Sequence, residues 1–183
     1  MPKAFENNPY NATITMKPTR MTMILLVAAT LATSLAAGLF YAYTCSVNPG
    51  LSRLSDTAYL EAMQSINRAI LNPVFFLSFI GAAILLPLAV YFTWRPHPTD
   101  TTWWFMAAAI LYLIGVFGVT IAGNVPLNEA LDRINIAAST PAELGQHRQA
   151  FEPAWTRYHN IRTIANLLSA IAAIVGCLFY SKG

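Results

Sequence analysis

From residue 22 to residue 43 the chain reads TMILLVAATLATSLAAGLFYAY, without a single Asp, Glu, Lys or Arg. As a helix, 22 residues reach about 33 Å, enough to cross the roughly 30 Å hydrocarbon core of a bilayer. In hydrocarbon every backbone polar group must be satisfied within the protein, which leaves a helix as the structure for such a run. It is too long for the apolar region of a cleaved signal peptide, which covers about 7 to 15 residues. Similar runs occupy residues 73–94 and 103–123, and the second half of 151–180 is a fourth. The whole chain is 56% hydrophobic and only 10% charged over its 183 residues, with mean hydropathy +0.48, far from an ordinary soluble domain. The expected fold is all-α: a four-helix transmembrane bundle with short helices in the two longer connectors, residues 1–20 forming a tail and 21–183 one membrane domain. The protein is therefore read as a multi-pass integral membrane protein whose surroundings are the lipid bilayer.

The connectors carry the remaining signals. Asn48, Pro49 and Gly50 predict a turn after the first span. Ser55 or Asp56 then caps a helix reaching about Leu71, with Leu60, Met63, Asn67 and Ile70 on one face, so that it lies across the mouth of the bundle with Asn67 turned inward. Thr30, Ser34 and Gly38 recur every fourth residue of the first span and predict close approach of a neighbour. Pro87 predicts a kink near the end of the second span. At Gly123 to Pro126 the third apolar run stops, and Pro126 either opens a new helix or kinks a continuous one. Helical pattern continues to about Ala138, Thr140 and Glu143 form a capping box, and Pro153 breaks or bends the helix that this box starts.

Residues 151–180 begin polar and aromatic and become apolar with no turn signal between. Trp155, His159, Arg162, Asn166 and Ser169 succeed one another at steps of four, three, four and three, which stacks them on one helix face. Polar groups at membrane depth face a bundle interior and mark functional sites, unless they only join helices by hydrogen bonds. The joining role suits Asn166 and Ser169; His159 and Arg162 are the candidate site residues. Asn124 and Asn128 precede this stripe on the same side of the membrane, and Asn67 can close a ring with them. Arg162 requires compensation, for which Glu129 and Asp132 are the preferred partners. Tyr158 is either a stacking platform for a flat ligand or part of an interfacial belt.

Several classes are excluded. A formal charge of +3 with no Lys or Arg cluster gives no footprint for nucleic acid. His97 falls across the bilayer from His159, and His147 has no partner at ligand spacing, so no metal is expected. Cys45 and Cys177 come after oppositely directed spans and are expected to be free thiols. The charges adjoining the first span, Lys17 and Arg20, place both termini in the cytoplasm, although Arg95 and Lys182 on that side face six arginines on the other.

Four motifs occur in order: AGLFYAYTCSVNPGL, SINRAILNPVF, GNVPLNEAL and W-x-x-x-H-N-x-R. Together they resemble the anthrone oxygenase-like membrane proteins over nearly the whole chain from about Thr22. The resemblance implies four membrane helices and, as in characterised fungal members, cofactor-free oxygenation of anthrones to anthraquinones. It directs attention to Asn48, Asn67, Asn124, Asn128, Trp155, His159 and Arg162. Such chemistry needs a base, for which His159 is suited, and oxyanion donors, for which Arg162, Asn124 and Asn128 are suited. The substrate would be a small, planar, hydrophobic aromatic molecule bearing oxygen, held by Asn67, Asn124, Asn128 and Trp155. The alternative is a non-enzymatic membrane protein that uses the same pocket to bind a hydrophobic ligand or a partner subunit.

Overall fold

The structure is a computed structural model that describes residues 19–94 and 97–180. Lys17, Arg95, Lys182 and most of the expected N-terminal tail lie outside the described residues. Helices α1 (Arg20–Leu51), α3 (Pro73–Thr93), α4 (Asp100–Asp132) and α5 (Pro141–Tyr180) are each long and apolar enough to cross a membrane. A fifth, α2 (Asp56–Ala69), joins α1 to α3. Among the described residues there is no strand. Leu31 and Leu35 on α1, Leu77 and Ile84 on α3, Ile114 on α4 and Ile171 on α5 all point outward. An apolar exterior of this extent on every long helix belongs against lipid.

Small side chains bring the four spanning helices together. Ala29, Ala32 and Ala36 of α1, Ala82 and Ala89 of α3, Ala108 of α4, and Ala172 and Ala173 of α5 fill one core with Phe79, Phe105 and Tyr112. At Gly115 a Cβ would come within 2.6 Å of the Ala165 Cβ, so α4 and α5 meet there at a distance only glycine permits. Tyr112 donates to the Phe79 carbonyl at 2.9 Å and Ser169 to the Ala108 carbonyl at 2.8 Å. Ser169 thus joins helices, as its type suggests. Gly38 has open space where a Cβ would stand. The most buried face of α1 is the alanine row and Phe40; of the Thr30, Ser34 and Gly38 series, Thr30 meets Cys177 of α5 at 3.3 Å.

α2 behaves as its amphipathic pattern predicts. Ser55 caps it by accepting from the Ala58 N–H. Tyr59, Leu60 and Met63 bury against Leu131, Leu144, Phe151 and Trp155, which lays α2 over one end of α4 and α5. Gln64 Nε2 donates to the carbonyls of Leu131 and Ile134. Arg148 fastens the opposite edge: it donates to the carbonyls of Ser52 and Leu54 and pairs with Asp56 at 3.0 Å and Glu152 at 2.7 Å.

The turn expected at Asn48 to Gly50 is absent, and at Pro126 and Pro153, where a break or a bend stood open, the helices are continuous. α1 runs on through Asn48, Pro49 and Gly50, and α4 runs through Pro126 to Asp132. In both, a π-helical turn ends two residues before the proline: Tyr43–Val47 in α1 and Thr120–Asn124 in α4. The wider turn moves hydrogen bonding to the fifth residue, as from the Val125 N–H to the Thr120 carbonyl, and absorbs the local misfit around a residue with no N–H. Pro153 lies inside the unbroken 40-residue α5. Pro153 has no N–H to give the Gln149 carbonyl, and both residues lie on an exposed part of the helix. The second long connector accordingly shrinks to residues 133–140, with a 3-10 turn at Ile136–Ala138. The capping box does form: Thr140 N–H donates to Glu143 at 2.7 Å and Glu143 N–H to Thr140 Oγ1 at 3.4 Å.

Candidate functional site

The polar face of α5 meets the π-helical parts of α1 and α4. Residues in a wide turn are offset from the ordinary helical register, and such turns are frequent at functional sites. Here one of them brings two consecutive residues of α1 to the same ring: Tyr43 stands 6.0 Å from the His159 ring centroid, and Thr44 Oγ1 lies 3.0 Å from His159 Nε2. The other carries Thr120 and Asn124, one turn apart, to Arg162 and Trp155.

His159 is 0% exposed. Trp155 stacks on it with ring centroids 5.1 Å apart and planes 7° from parallel, and Phe40 meets it edge-on at 6.2 Å. The indole is itself held from α4. Its Nε1–H donates to Asn128 Oδ1 at 2.8 Å, and the Trp155 carbonyl accepts from Asn124 Nδ2 at 3.2 Å. Asn124 and Asn128 are four residues apart, so one face of α4 fixes both ends of the tryptophan.

Arg162 is 9% exposed and does not make the expected ion pair. Glu129 is paired with Arg133 and Asp132 with Arg68, and among the described residues no carboxylate lies within ion-pair distance of Arg162. The guanidinium instead lies over the Phe40 ring at 4.3 Å and the Trp155 ring at 5.4 Å. Its Nη1 donates to Thr120 Oγ1 at 3.4 Å, its Nη2 faces His159 Nδ1 at 3.5 Å, and Nε has no partner among the described residues. A charge at membrane depth costs about 3 kcal/mol on insertion scales, whereas each cation–π contact returns roughly 0.5 to 2 kcal/mol. The rings can offset the desolvation. They leave the positive charge itself uncancelled.

Other buried polar atoms share this condition. Both amide atoms of Asn166, one turn beyond Arg162 on the same face, lack partners among the described residues, as do Asn124 Oδ1 and Asn67 Nδ2. Native interiors leave few such groups unless a ligand or water meets them. The structure therefore gathers His159, Arg162, Trp155, Asn124 and Asn128 as the sequence pattern indicates. Asn67 is half-buried near the end of α2, and no hydrogen bond of its side chain joins it to this group. Asn48 is also half-buried, in the last turns of α1. Tyr158 is 38% exposed and covers Gly123, where a Cβ would stand 2.5 Å from its ring. It takes no part in the stack.

Phe40, Tyr43, Thr44, Thr120 and Thr163 line the candidate site without having been singled out by the sequence pattern. Thr163 could have been found, being four residues after His159 on the same helix face. Thr44 and Tyr43 lie in the π turn, whose only sequence sign is Pro49. No three His, Cys, Asp or Glu side chains gather among the described residues, and the His159 nitrogens face hydroxyls and a guanidinium, a poor donor set for an ion. An apolar groove of about 300 Å³ lies near the α2 end between α4 and α5, lined by Leu131, Ile134, His147 and Phe151 among others. Phe151 borders it and packs on Trp155 with centroids 6.4 Å apart.

Both cysteines are free, Cys45 exposed and Cys177 against Thr30 at 3.3 Å. No curated protein and no solved structure matches the chain. Residues 74–172 match the family model described as anthrone oxygenase, and this stretch contains Asn124, Asn128, Trp155, His159, Arg162 and Asn166. With more than half of its length matched, the chain belongs to the anthrone oxygenase family.

Proposed function

We propose that this membrane protein oxygenates a planar, hydrophobic, enolisable aromatic ketone of the anthrone type, with no cofactor. The observation that carries the reading is the buried, uncancelled charge of Arg162 beside the imidazole of His159. An anthrone has an acidic methylene opposite its carbonyl. Transfer of one methylene proton to His159 leaves an anion with its charge largely on the carbonyl oxygen, where Arg162 stabilises it. The anion gives its electron pair to dioxygen, forming a carbon–oxygen bond, and a proton returns to give a hydroperoxide. Loss of the second methylene proton with cleavage of the oxygen–oxygen bond releases water and leaves the quinone carbonyl. One anthrone and one dioxygen become one quinone and one water.

The unpartnered atoms of Asn124 and Asn166 suit the oxygen substituents of such a molecule, and Trp155 suits its flat face. Asn67 and Asn128 complete the substrate-binding set. Phe40, Tyr43 and Trp155 close around His159, so entry requires a ring to move. Tyr43, half-buried on a π turn, is the one we assign to that movement. That same enclosure favours a second reading, in which a hydrophobic ligand is held without turnover. We further propose that both termini are cytoplasmic, from the position of Arg20 before α1. Oxygen uptake by purified protein given an anthrone separates turnover from binding. Wild type should consume dioxygen and His159→Ala should be slower by roughly a hundredfold or more; binding with no uptake above the uncatalysed rate would leave the second reading.

A further inference from the structure

We infer that Thr44 and Thr163 are positioning residues that hold His159 as its Nε2–H tautomer, leaving Nδ1 as the proton-accepting atom. Thr44 Oγ1 donates its one proton to the Phe40 carbonyl at 3.2 Å, and Thr163 Oγ1 donates to the His159 carbonyl at 2.7 Å. Each hydroxyl oxygen is then left as an acceptor, and both face Nε2, at 3.0 Å and 3.4 Å. A ring nitrogen between two acceptors carries the proton.

The other side of the ring gives the same answer independently. Nδ1 faces Arg162 Nη2 at 3.5 Å, and a guanidinium has donors only. A proton on Nδ1 would set two donors against each other, so Nδ1 keeps its lone pair. Which nitrogen is protonated is set by the partner of the other, the usual logic of a histidine held for chemistry.

The consequence rests on the proposed oxygenase reading. Proton transfer to Nδ1 creates an imidazolium against a guanidinium. Two adjacent cations are tolerated only where an anion meets them, so His159 becomes an effective base only as negative charge develops on a substrate lodged beside Arg162. Thr44 lies beside Tyr43 in the π turn of α1, and both meet the His159 ring.

The test is nitrogen magnetic resonance of protein labelled with ¹⁵N-histidine in lipid bilayers, with His159 assigned among the three histidines by the signal lost in His159→Gln. It needs no substrate, so it reads the tautomer whether or not the oxygenase reading holds. Wild type and Thr44→Ser should show protonated Nε2 and bare Nδ1 at His159. In the double variant Thr44→Val, Thr163→Val the Nε2–H loses both of its acceptors, so its nitrogen resonance should shift even though Arg162 still opposes a proton on Nδ1. Where wild type turns over an anthrone, the double variant should lower kcat at least about tenfold with little change in KM, and Thr44→Ser should keep most of the activity. A wild-type His159 protonated at Nδ1, or a double variant whose Nε2 resonance does not move, overturns the inference. The wild-type spectrum decides it even if the double variant does not fold.

Discussion

Trp155 and His159 lie one helical turn apart on α5 with their rings 5.1 Å apart and almost parallel. Stacking within one helix is a local event, but this pair is set from another helix, because Asn128 on α4 holds the indole N–H at 2.8 Å. Asn128→Ala leaves that N–H without its partner at a half-buried position. Stability should fall by roughly 1 to 3 kcal/mol, and ligand affinity with it. Thermal unfolding in detergent checks the first effect. Unchanged stability together with unchanged binding would mean that Asn128 does not hold the stack.

On the proposed reading, Arg162 sets the ionisation state of the ligand. A hydroxyanthraquinone bound in the site should be held as its anion at a pH where it is neutral in water, which absorbance spectra report directly. Arg162→Gln should abolish the anionic spectrum and slow any oxygenation by roughly a hundredfold or more. Arg162→Lys keeps the charge but loses the planar fork that spans Phe40, Thr120 and His159, and should retain only part of both properties. An anionic bound spectrum in Arg162→Gln would remove Arg162 from the site.

Gly115 sets the spacing of α4 and α5. Gly115→Ala places a methyl 2.6 Å from the Ala165 Cβ, and the helices must part or strain at a cost of about 1 to 3 kcal/mol. Ala165→Gly should recover most of the loss in a double-mutant cycle, because the clash is between those two methyls. Additive losses would show that the contact is not what limits the spacing.

The proposed orientation is tested by Cys45. By rise per residue it lies about 37 Å along α1 from Arg20, beyond the hydrocarbon core, whereas Cys177 packs on Thr30 only ~15 Å along from Arg20. With cytoplasmic termini, a membrane-impermeant thiol reagent added outside intact cells should label Cys45 and leave Cys177 untouched. Labelling of Cys45 only after the membrane is opened would reverse the assignment.

The spans were legible because burial in hydrocarbon requires long uncharged runs, and the polar face of α5 because the 3.6-residue period is local to one helix. Asn124, Asn128, Trp155, His159 and Arg162 came from that period and from shared depth. The features that stayed hidden depend on non-local geometry. Pro49 read as part of a turn, and Pro126 and Pro153 left a break or a bend open, since nothing along the chain tells whether a π turn or an exposed position will accommodate a proline. Arg162 called for a carboxylate, and the rings of Phe40 and Trp155 took that place while Glu129 and Asp132 found arginines of their own. Thr44 acquires its meaning only when it meets a ring on α5.

The most direct measurement is dioxygen uptake by purified protein in bilayers supplied with an anthrone, with the quinone quantified alongside. One dioxygen should be consumed per quinone formed, well above the uncatalysed rate, and His159→Ala should be slower by roughly a hundredfold or more in folded protein. Wild-type uptake no faster than the uncatalysed reaction, or His159→Ala as active as wild type, would contradict the oxygenase reading.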